Sequence, residues 1–562
     1  MILKNPMEPH GQERGPIQPL LWGNIPVKRW RIPPPAGYRG GTPAAGIKNR
    51  MGRKKLIVLI LCFVIGFGLR FYGFDQKSLW MDEIHTYNDS THDLKSQFQF
   101  YKENPAFLHP PLFFILTHLF YPFEKPERDL RIIPLVFGTL SIPMIYLLSG
   151  SFSAPIALPC MLSLTFMTYH ISLSQDGRVY AFLLFFGMAS LYFFMRHLQT
   201  LKKRYLVSVS ICFAILFHAS YSSIPFIALS QILWFYRARE DGLKPSLSSF
   251  FILNGLLFLF CLPWVTFTAS HYRGEVVMDP FHTEDPGPLW RILYGVLHDW
   301  APQPPLMIAS VILLLLFPFF VRYRRNAFVL LAVFIVPVAG LYFFCKLLKV
   351  THFITSRYFI SFLPLFFIGL YLSLDALEGR LGKLRRFLRL KVIFVILFIA
   401  SNLVILPLYY RSEKQDLRGL VTYLKTHARE GDKIFVETEG FMPGILHYVG
   451  AHPKERHHVA YPVTKSGEQV GLRISFLYQG KMFTLYHSKT CCTQYVLDGN
   501  RLWIVTSKWG AKKIQGNSPC VLKGYFDGSF LNFNRFPDDA SMYLFLWDVA
   551  SPDEKGIDLP VQ

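Results

Sequence analysis

Two adjacent carboxylates and a histidine follow the first long apolar run of the chain, in the stretch LWMDEIHT. A fixed carboxylate such as Asp82 or Glu83 can take a proton from a reacting hydroxyl group. Acidic side chains beside a membrane repel anionic lipid and help little with insertion, so catalysis at the outer membrane surface is the leading hypothesis. The structural alternative is a helix cap, because acidic residues also stabilise the first turn of a helix.

Further polar clusters lie at the ends of later apolar runs. His109-Pro110-Pro111 resembles an ordinary helix start, and Ser-Gln-Asp-Gly-Arg is typical of a turn with a local Asp–Arg pair. Arg357 in SRYF could simply extend its charge to the membrane interface. Their convergence on one membrane face, in sequence order, favours a shared site. Its candidate residues besides the acidic pair are His85, His109, Asp176, Arg178, Tyr180, Lys346, Lys349, Arg357 and Tyr358.

Composition predicts the elements that position these residues. The chain is 51% hydrophobic, its mean hydropathy is +0.28, and most charge lies between long apolar segments. This pattern indicates a polytopic α-helical membrane protein, because lipid requires every backbone polar group to be satisfied within a helix. The net charge of +22 does not indicate nucleic-acid binding, because short basic clusters between apolar runs are explained by cytoplasmic loops.

The basic clusters also predict the topology. Basic residues precede the first apolar run, Leu56–Tyr72, so its start is cytoplasmic and Asp82 lies outside. If every later basic cluster lies in the cytoplasm, successive apolar runs cross the membrane in alternating directions. The tail after about Tyr410 then lies outside. The short segment Pro110–Phe123 is expected to be re-entrant or interfacial. The total is then about 11 spans, with 13 as the alternative. The eleven runs predicted to cross are Leu56–Tyr72, Ile132–Leu148, Ala154–Ile171, Val179–Met195, Tyr205–Phe217, Ser223–Tyr236, Phe250–Phe267, Leu306–Val321, Phe328–Cys345, Phe353–Leu374 and Val392–Leu408.

Three regions differ in character. Residues 1–50 are rich in Pro and Gly and are expected to be a disordered extension, or upstream translation from a misassigned start. Residues 51–410 form the membrane domain. Residues 411–562 are predicted to form an extracytoplasmic α/β domain, with an amphipathic helix over Gln415–Ala428 and strands at DKIFVET, RLWIVTS and ASMYLFLWDV.

Four motifs resemble a known family when taken in order: GLRFYGFDQKSLWMDEIHT, LHPPLFFILTHLF, SLSQDGRVYAF and SRYFISFLPL. They resemble the bacterial C-type (GT-C) glycosyltransferases, within the group that is similar to protein mannosyltransferases and lipid A aminoarabinose transferases (families 39 and 83). The tail opening KQDLRGLVTYLKTHAREGDKIFV resembles the extracytoplasmic domain of many members. The resemblance covers about residues 55–440.

The resemblance implies a function. Members transfer a sugar from a polyprenyl-phosphate donor, with inversion, to an acceptor on the outer face of the bacterial inner membrane. The acceptor would be a cell-envelope glycan, lipid or protein. By this resemblance Asp82 is the general base, and Glu83 orients it or helps bind a divalent cation, with His109 as a further candidate ligand. A metal ion is known in this superfamily but is not universal.

The leaving group explains the basic candidates. Polyprenyl phosphate is a weak base that needs cations rather than a general acid, and the arginine fork suits phosphate oxygens. The donor-phosphate candidates are Arg178, Arg357, Lys346, Lys349 and His109. Relatives commonly carry Gln-Glu-Ala-Arg where this chain has Gln-Asp-Gly-Arg, which leaves Arg178 matched but changes the type of residue at Asp176.

The sequence is also compatible with three other classes of protein: a polymerase or ligase for lipid-linked saccharides, a transporter or flippase, and a non-catalytic scaffold or assembly protein. A polymerase or ligase for lipid-linked saccharides is expected to carry its key basic residues in a large central outer loop, and His271–Gln303 is such a loop, although it also holds acidic residues. A transporter or flippase is expected to have inverted repeats and ionisable residues near helix centres. The sequence has no evident repeat, which favours the glycosyltransferase. Acceptor selectivity is expected to depend on that loop and on the tail.

Overall fold

The computed structural model describes most of the chain after residue 52. The described ranges are 53–103, 108–240, 247–271, 288–320, 324–347, 354–381, 389–437, 439–450, 460–465, 468–478, 481–488, 501–517, 520–528 and 541–548. The chain divides into residues 1–50 and the compact unit Met51–Gln562. The predicted extension 1–50, Lys349 and residues 272–287 of the predicted loop His271–Gln303 lie outside the described residues.

Helices make up the first part of the described chain. Two short 3₁₀ turns, Tyr221–Ser223 and Ser356–Phe362, lead directly into longer helices. The α-helices are α1 (Arg53–Phe71), α2 (Met81–Ser90), α3 (Leu94–Glu103), α4 (Leu112–His118), α5 (Pro126–Asp129), α6 (Ile132–Phe152), α7 (Ala154–Phe166), α8 (Thr168–Ser174), α9 (Tyr180–Thr200), α10 (Lys203–Ala219), α11 (Ile224–Glu240), α12 (Leu247–His271), α13 (Leu289–Trp300), α14 (Pro304–Phe320), α15 (Arg324–Leu347), α16 (Leu363–Arg380) and α17 (Leu390–Arg411).

Several of these helices are long and apolar enough to cross a membrane. Among the described residues five helical stretches qualify by length and composition, or up to seven if each of two bent pairs counts as one span. The bent pairs are α7 with α8, at 61°, and α13 with α14, at 106°. Each of the eleven apolar runs predicted to cross contains a helix, whereas the run 110–123 contains only the seven residues of α4. The count of 11 spans stays a prediction.

Apolar side chains cover both the inside and the outside of the helical part. Leu164, Phe213 and Phe366 are fully buried in its core. On the surface, Phe251 of α12 is 68% exposed and Val404 of α17 is 66% exposed. Water disfavours such a surface, and a lipid environment explains why these helices are apolar on all sides.

The tail folds around one mixed sheet. Its elements are α18 (Leu417–His427), β1 (Lys433–Val436), α19 (Met442–Val449), β2 (Ala460–Lys465), β3 (Glu468–Tyr478), β4 (Lys481–Ser488), β5 (Arg501–Ser507), α20 (Lys508–Asn517), β6 (Val521–Phe526) and β7 (Met542–Asp548). The strand order is β2-β3-β4-β1-β5-β7-β6. Strand β1 is parallel to β4 and β5, and the other pairs are antiparallel. Strands β1, β5 and β7 lie where the sequence predicted strands.

The tail packs directly on the segment that carries the acidic pair. The Tyr448 hydroxyl oxygen accepts a hydrogen bond from the Leu79 amide at 2.7 Å, and its O–H donates to Glu127 at 2.8 Å. The Met81 amide donates to the side chain of Gln415 at 3.0 Å. The sheet-bearing tail and α2 therefore lie at the same end of the helical part.

Candidate active site

Asp82 and Arg357 form an ion pair at this end of the molecule. Asp82 lies in the first turn of α2, and Arg357 lies in the 3₁₀ turn that precedes α16. Arg357 Nη1 is 3.0 Å from Asp82 Oδ2, and the two side chains are 19% and 18% exposed. A partly exposed carboxylate beside a guanidinium group is a suitable arrangement for proton transfer next to a bound anion.

Arg178 joins this pair from a third segment. It lies in the loop between α8 and α9, and its Nη1 donates to the Asp82 carbonyl at 3.1 Å and to the Thr86 hydroxyl at 3.0 Å. Burial opposes the charge, but nearby Asp82 raises the pKa of the Arg178 guanidinium above its ordinary value. Arg178 therefore stays cationic and lies at the same end as Asp82.

Aromatic rings surround the Arg357 guanidinium. Its central carbon is 5.1 Å from the centre of the Trp80 ring, 5.5 Å from that of Tyr180 and 5.7 Å from that of Tyr358. Rings at these distances attract a cation and restrict its orientation. Among the described residues, Nε of both Arg178 and Arg357 is buried without a hydrogen-bond partner. These two N–H groups could donate to a bound anion.

Glu83 faces the interior, away from solvent. Arg131 holds it with two parallel bonds, Nε to Oε1 and Nη2 to Oε2, each 2.7 Å, and the Gly177 amide donates to it at 2.6 Å. Burial alone would raise the pKa of Glu83, but Arg131 and Lys414 lower it to about 2. Glu83 is thus a buried anion that ties α2 to α6 and to the Arg178 loop.

These contacts bear on the suggested metal site. Both Glu83 oxygens are bonded to Arg131, and His109 lies exposed just before α4. Within the described ranges no three His, Cys, Asp or Glu side chains lie together as a metal site. The described residues therefore do not bring Asp82, Glu83 and His109 together as a ligand set.

Asp176 is buried beside the same cluster. Trp80 Nε1 donates to Asp176 at 2.9 Å, and Lys414 Nζ is 3.2 Å from Asp176 and 3.5 Å from Glu83. Burial raises the pKa of Asp176, and Lys414 offsets this only in part. The ion pair of Asp176 is with Lys414, at the start of the tail, rather than with Arg178 in its own turn.

The other candidates lie farther out on the structure. His85 is exposed three residues after Asp82 on α2, and His109 is exposed before α4, a helix that packs against α2. Lys346 is exposed near the end of α15, 5.8 Å from the centre of the Tyr342 ring. The structure brings together Asp82, Arg178, Arg357, Tyr180 and Tyr358, whereas Lys349 lies outside the described residues.

Several contributing residues were not predicted from the sequence. Arg131 and Lys414 bind the buried carboxylates, and Trp80 contacts both Arg357 and Asp176. Their only sequence signals are indirect: Trp80 stands beside the acidic pair, and Arg131 directly precedes an apolar run. Lys414 carries no local signal, because its partners are distant in the chain.

A second small network supports the turn that carries Arg357. The Ser356 hydroxyl donates to the buried Asp299 carboxylate, and the Tyr169 hydroxyl is 2.7 Å from Ser356. Asp299 is only 2% exposed. These contacts connect α8 and α13 to the turn, so the position of Arg357 depends on three elements.

Comparison with known proteins shows what the sequence and the fold are similar to. Residues 108–267 match the family model described as dolichyl-phosphate-mannose-protein mannosyltransferase. The crystal structure of ArnT from Cupriavidus metallidurans in the apo state is similar over 89% of this chain and 98% of that chain, with 12% identity and a TM-score of 0.51. ArnT from the same organism bound to undecaprenyl phosphate is similar over 89% and 99%, with 12% identity and a TM-score of 0.50.

The two structural likenesses show a shared fold along nearly the whole of ArnT. No curated protein sequence matches the chain significantly. Together with the apolar helices, the family match and the fold identify a multi-pass membrane protein. The chain is therefore similar to the protein mannosyltransferases over residues 108–267, and it shares the fold of ArnT.

Proposed function

We propose that this protein transfers a sugar from a polyprenyl-phosphate donor to a cell-envelope acceptor on the outer face of the bacterial inner membrane. The observation that carries the proposal is the meeting of Asp82, Arg178 and Arg357 from three distant segments. One carboxylate beside two guanidinium groups matches the needs of this reaction: one proton to remove and one phosphate to stabilise.

The transfer is a single displacement. The acceptor oxygen attacks the anomeric carbon and forms the new glycosidic bond while the bond from that carbon to the phosphate oxygen breaks. The bonding electron pair leaves with the phosphate, and Asp82 takes the acceptor's proton. Attack opposite to the leaving group inverts the anomeric configuration.

The two arginines stabilise the departing phosphate. Each has a buried Nε–H without a hydrogen-bond partner among the described residues, and charge-assisted hydrogen bonds from guanidinium to phosphate are short and strong. Arg357 also pairs with Asp82 at 3.0 Å. A phosphate that binds Arg357 would therefore compete with Asp82 for the guanidinium group and weaken this ion pair. Donor binding is therefore expected to release Asp82 for the acceptor's hydroxyl.

The polyprenyl part of the donor agrees with the fold and with the protein surface. ArnT, which shares the fold, has been crystallised with undecaprenyl phosphate. Exposed apolar side chains on α1, α12 and α17 would let a prenyl chain stay in lipid while its phosphate reaches the membrane surface. Lys346 and His109 are proposed to assist from the exposed rim, and His85 to contact the sugar or acceptor.

Purified protein reconstituted in sealed liposomes provides the test. It would receive a panel of polyprenyl-phosphate sugars with labelled sugar, together with cell-envelope extract as acceptor. We expect label in an acceptor product and an equal amount of free polyprenyl phosphate, whether or not a chelator is present. Movement of intact donor across the bilayer without cleavage would support a flippase instead and contradict the proposal.

A further inference from the structure

The tail supplies Lys414 to a buried cluster of charged side chains next to the site. The other members of this cluster are Glu83, Asp176 and Arg131. Lys414 follows α17 by only a few residues, and its side chain is 1% exposed. Its ammonium group lies 3.2 Å from Asp176 and 3.5 Å from Glu83, and it donates to the Gln175 carbonyl at 2.9 Å. One side chain thus contacts the segments that carry both Asp82 and Arg178.

The charges of this cluster balance. Glu83 and Asp176 contribute two negative charges, and Arg131 and Lys414 contribute two positive charges. All four side chains are at most 2% exposed. A buried ion is tolerated only when it is paired, so removal of Lys414 alone would leave one uncompensated negative charge directly below the site.

The cluster is connected to the reacting pair through Trp80. The indole N–H donates to Asp176 at 2.9 Å, and the indole ring lies 5.1 Å from the Arg357 guanidinium. Arg357 in turn pairs with Asp82 at 3.0 Å. A shift of Asp176 would therefore move the Trp80 ring. Because Arg357 packs on this ring and pairs with Asp82, the pair would move as well.

We propose that Lys414 is a positioning residue. Through it, the start of the tail keeps Asp82, Arg178 and Arg357 in the geometry for transfer. The inference rests on the proposed function and adds to it, because it makes the tail a structural part of the site rather than an attached domain. Misplacement of reacting groups by about 1 Å can slow a reaction on the order of 10²-fold.

The test measures transfer by Lys414→Gln, normalised to the amount of monodisperse, folded protein in nanodiscs. We expect kcat to fall about 10²-fold, with a smaller change in KM for the donor. Lys512→Gln is the matched control: it makes the same substitution at an exposed position of the tail helix α20 and should retain wild-type kcat. A Lys414→Gln protein that is less stable but has wild-type kcat would overturn the inference.

A second variant separates positioning from simple damage. Lys414→Gln combined with Asp176→Asn removes one charge of each sign and leaves Glu83 paired with Arg131. We expect the double variant to lose less activity than the product of the two single losses, which measures their coupling. Strictly multiplicative losses would contradict the inference. Absence of transfer by the wild-type protein would instead contradict the proposed function, so the two failures are distinguishable.

Discussion

At the scale of single residues, the two adjacent carboxylates have different environments. Asp82 is partly exposed and pairs with Arg357, whereas Glu83 is fully buried and bound by Arg131. The sequence predicts the pair from its position after the first apolar run, and the side of the membrane on which the pair lies stays a prediction. The sequence could not separate the two roles, because the partners of Glu83 come from α6 and the tail.

Replacement of Glu83 by Gln is expected to destabilise the protein. The amide leaves Arg131 and Lys414 with less compensation in the interior, and breaking a buried pair typically costs about 3–5 kcal/mol. Thermal unfolding in nanodiscs should show a lower melting temperature, while any folded fraction keeps measurable transfer. The matched variant Glu124→Gln changes an exposed acid and should unfold as the wild type does. Unchanged stability of Glu83→Gln would contradict a structural role.

The buried ion pair of Glu83 and Arg131 predicts that the stability of the protein depends on pH. The pKa of Glu83 is lowered to about 2 in the folded protein, below its ordinary value of about 4.3 in an unfolded chain. A depressed carboxylate pKa contributes stability that is present above the unfolded value and is lost as pH falls through the folded value. The stability difference between wild type and Glu83→Gln should therefore be constant above about pH 5 and shrink toward pH 2. If the stability difference between the two proteins instead grew as the pH falls, the lowered pKa of Glu83 would be contradicted.

At the scale of elements, the position of the Arg178 loop depends on helix α8 packing closely on α6. Gly138 of α6 faces Ser174 at the end of α8: a Cβ atom there would lie 2.1 Å from the Ser174 hydroxyl oxygen and 2.6 Å from its Cβ. The break between α7 and α8 was not predicted, because a single apolar run gives no signal for a 61° bend.

Gly138→Ala is expected to push α8 away from α6. Because the Arg178 loop directly follows α8, transfer should fall together with the melting temperature. Gly255→Ala is the matched control, since that glycine also lies in a helix and a Cβ atom added to it would meet nothing within 4 Å; alanine there should be neutral or slightly stabilising. Equal behaviour of the two variants in unfolding and transfer would contradict this packing account.

At the scale of the whole molecule, apolar periodicity and basic clusters predicted most of the helical part. Helices lie at all eleven runs predicted to cross, and strands β1, β5 and β7 lie in the tail where apolar strand patterns stood. Strands β2, β3, β4 and β6 were not predicted, because turn residues and charges interrupt their apolar pattern. The contact between tail and α2 was also beyond prediction, since it depends on distant residues such as Tyr448.

The predicted sidedness can be tested on the whole chain. A reporter fused after Gln562 that is active only outside the cytoplasm should be active, because the tail lies at the same end as Asp82 and the first basic cluster holds the start of α1 inside. A cytoplasmic reporter fused there should be inactive. The opposite result would place the tail, and with it Asp82, Arg178 and Arg357, on the cytoplasmic face.

Proton removal by Asp82 can be tested by single-turnover transfer with the variant Asp82→Asn loaded with labelled donor. The amide keeps the shape of the side chain but cannot accept the proton, so we expect normal folding, retained donor binding and transfer slower by about 10²–10⁴-fold. Asp75→Asn, at an exposed position in the preceding loop, should transfer normally. Wild-type transfer by Asp82→Asn would contradict the account.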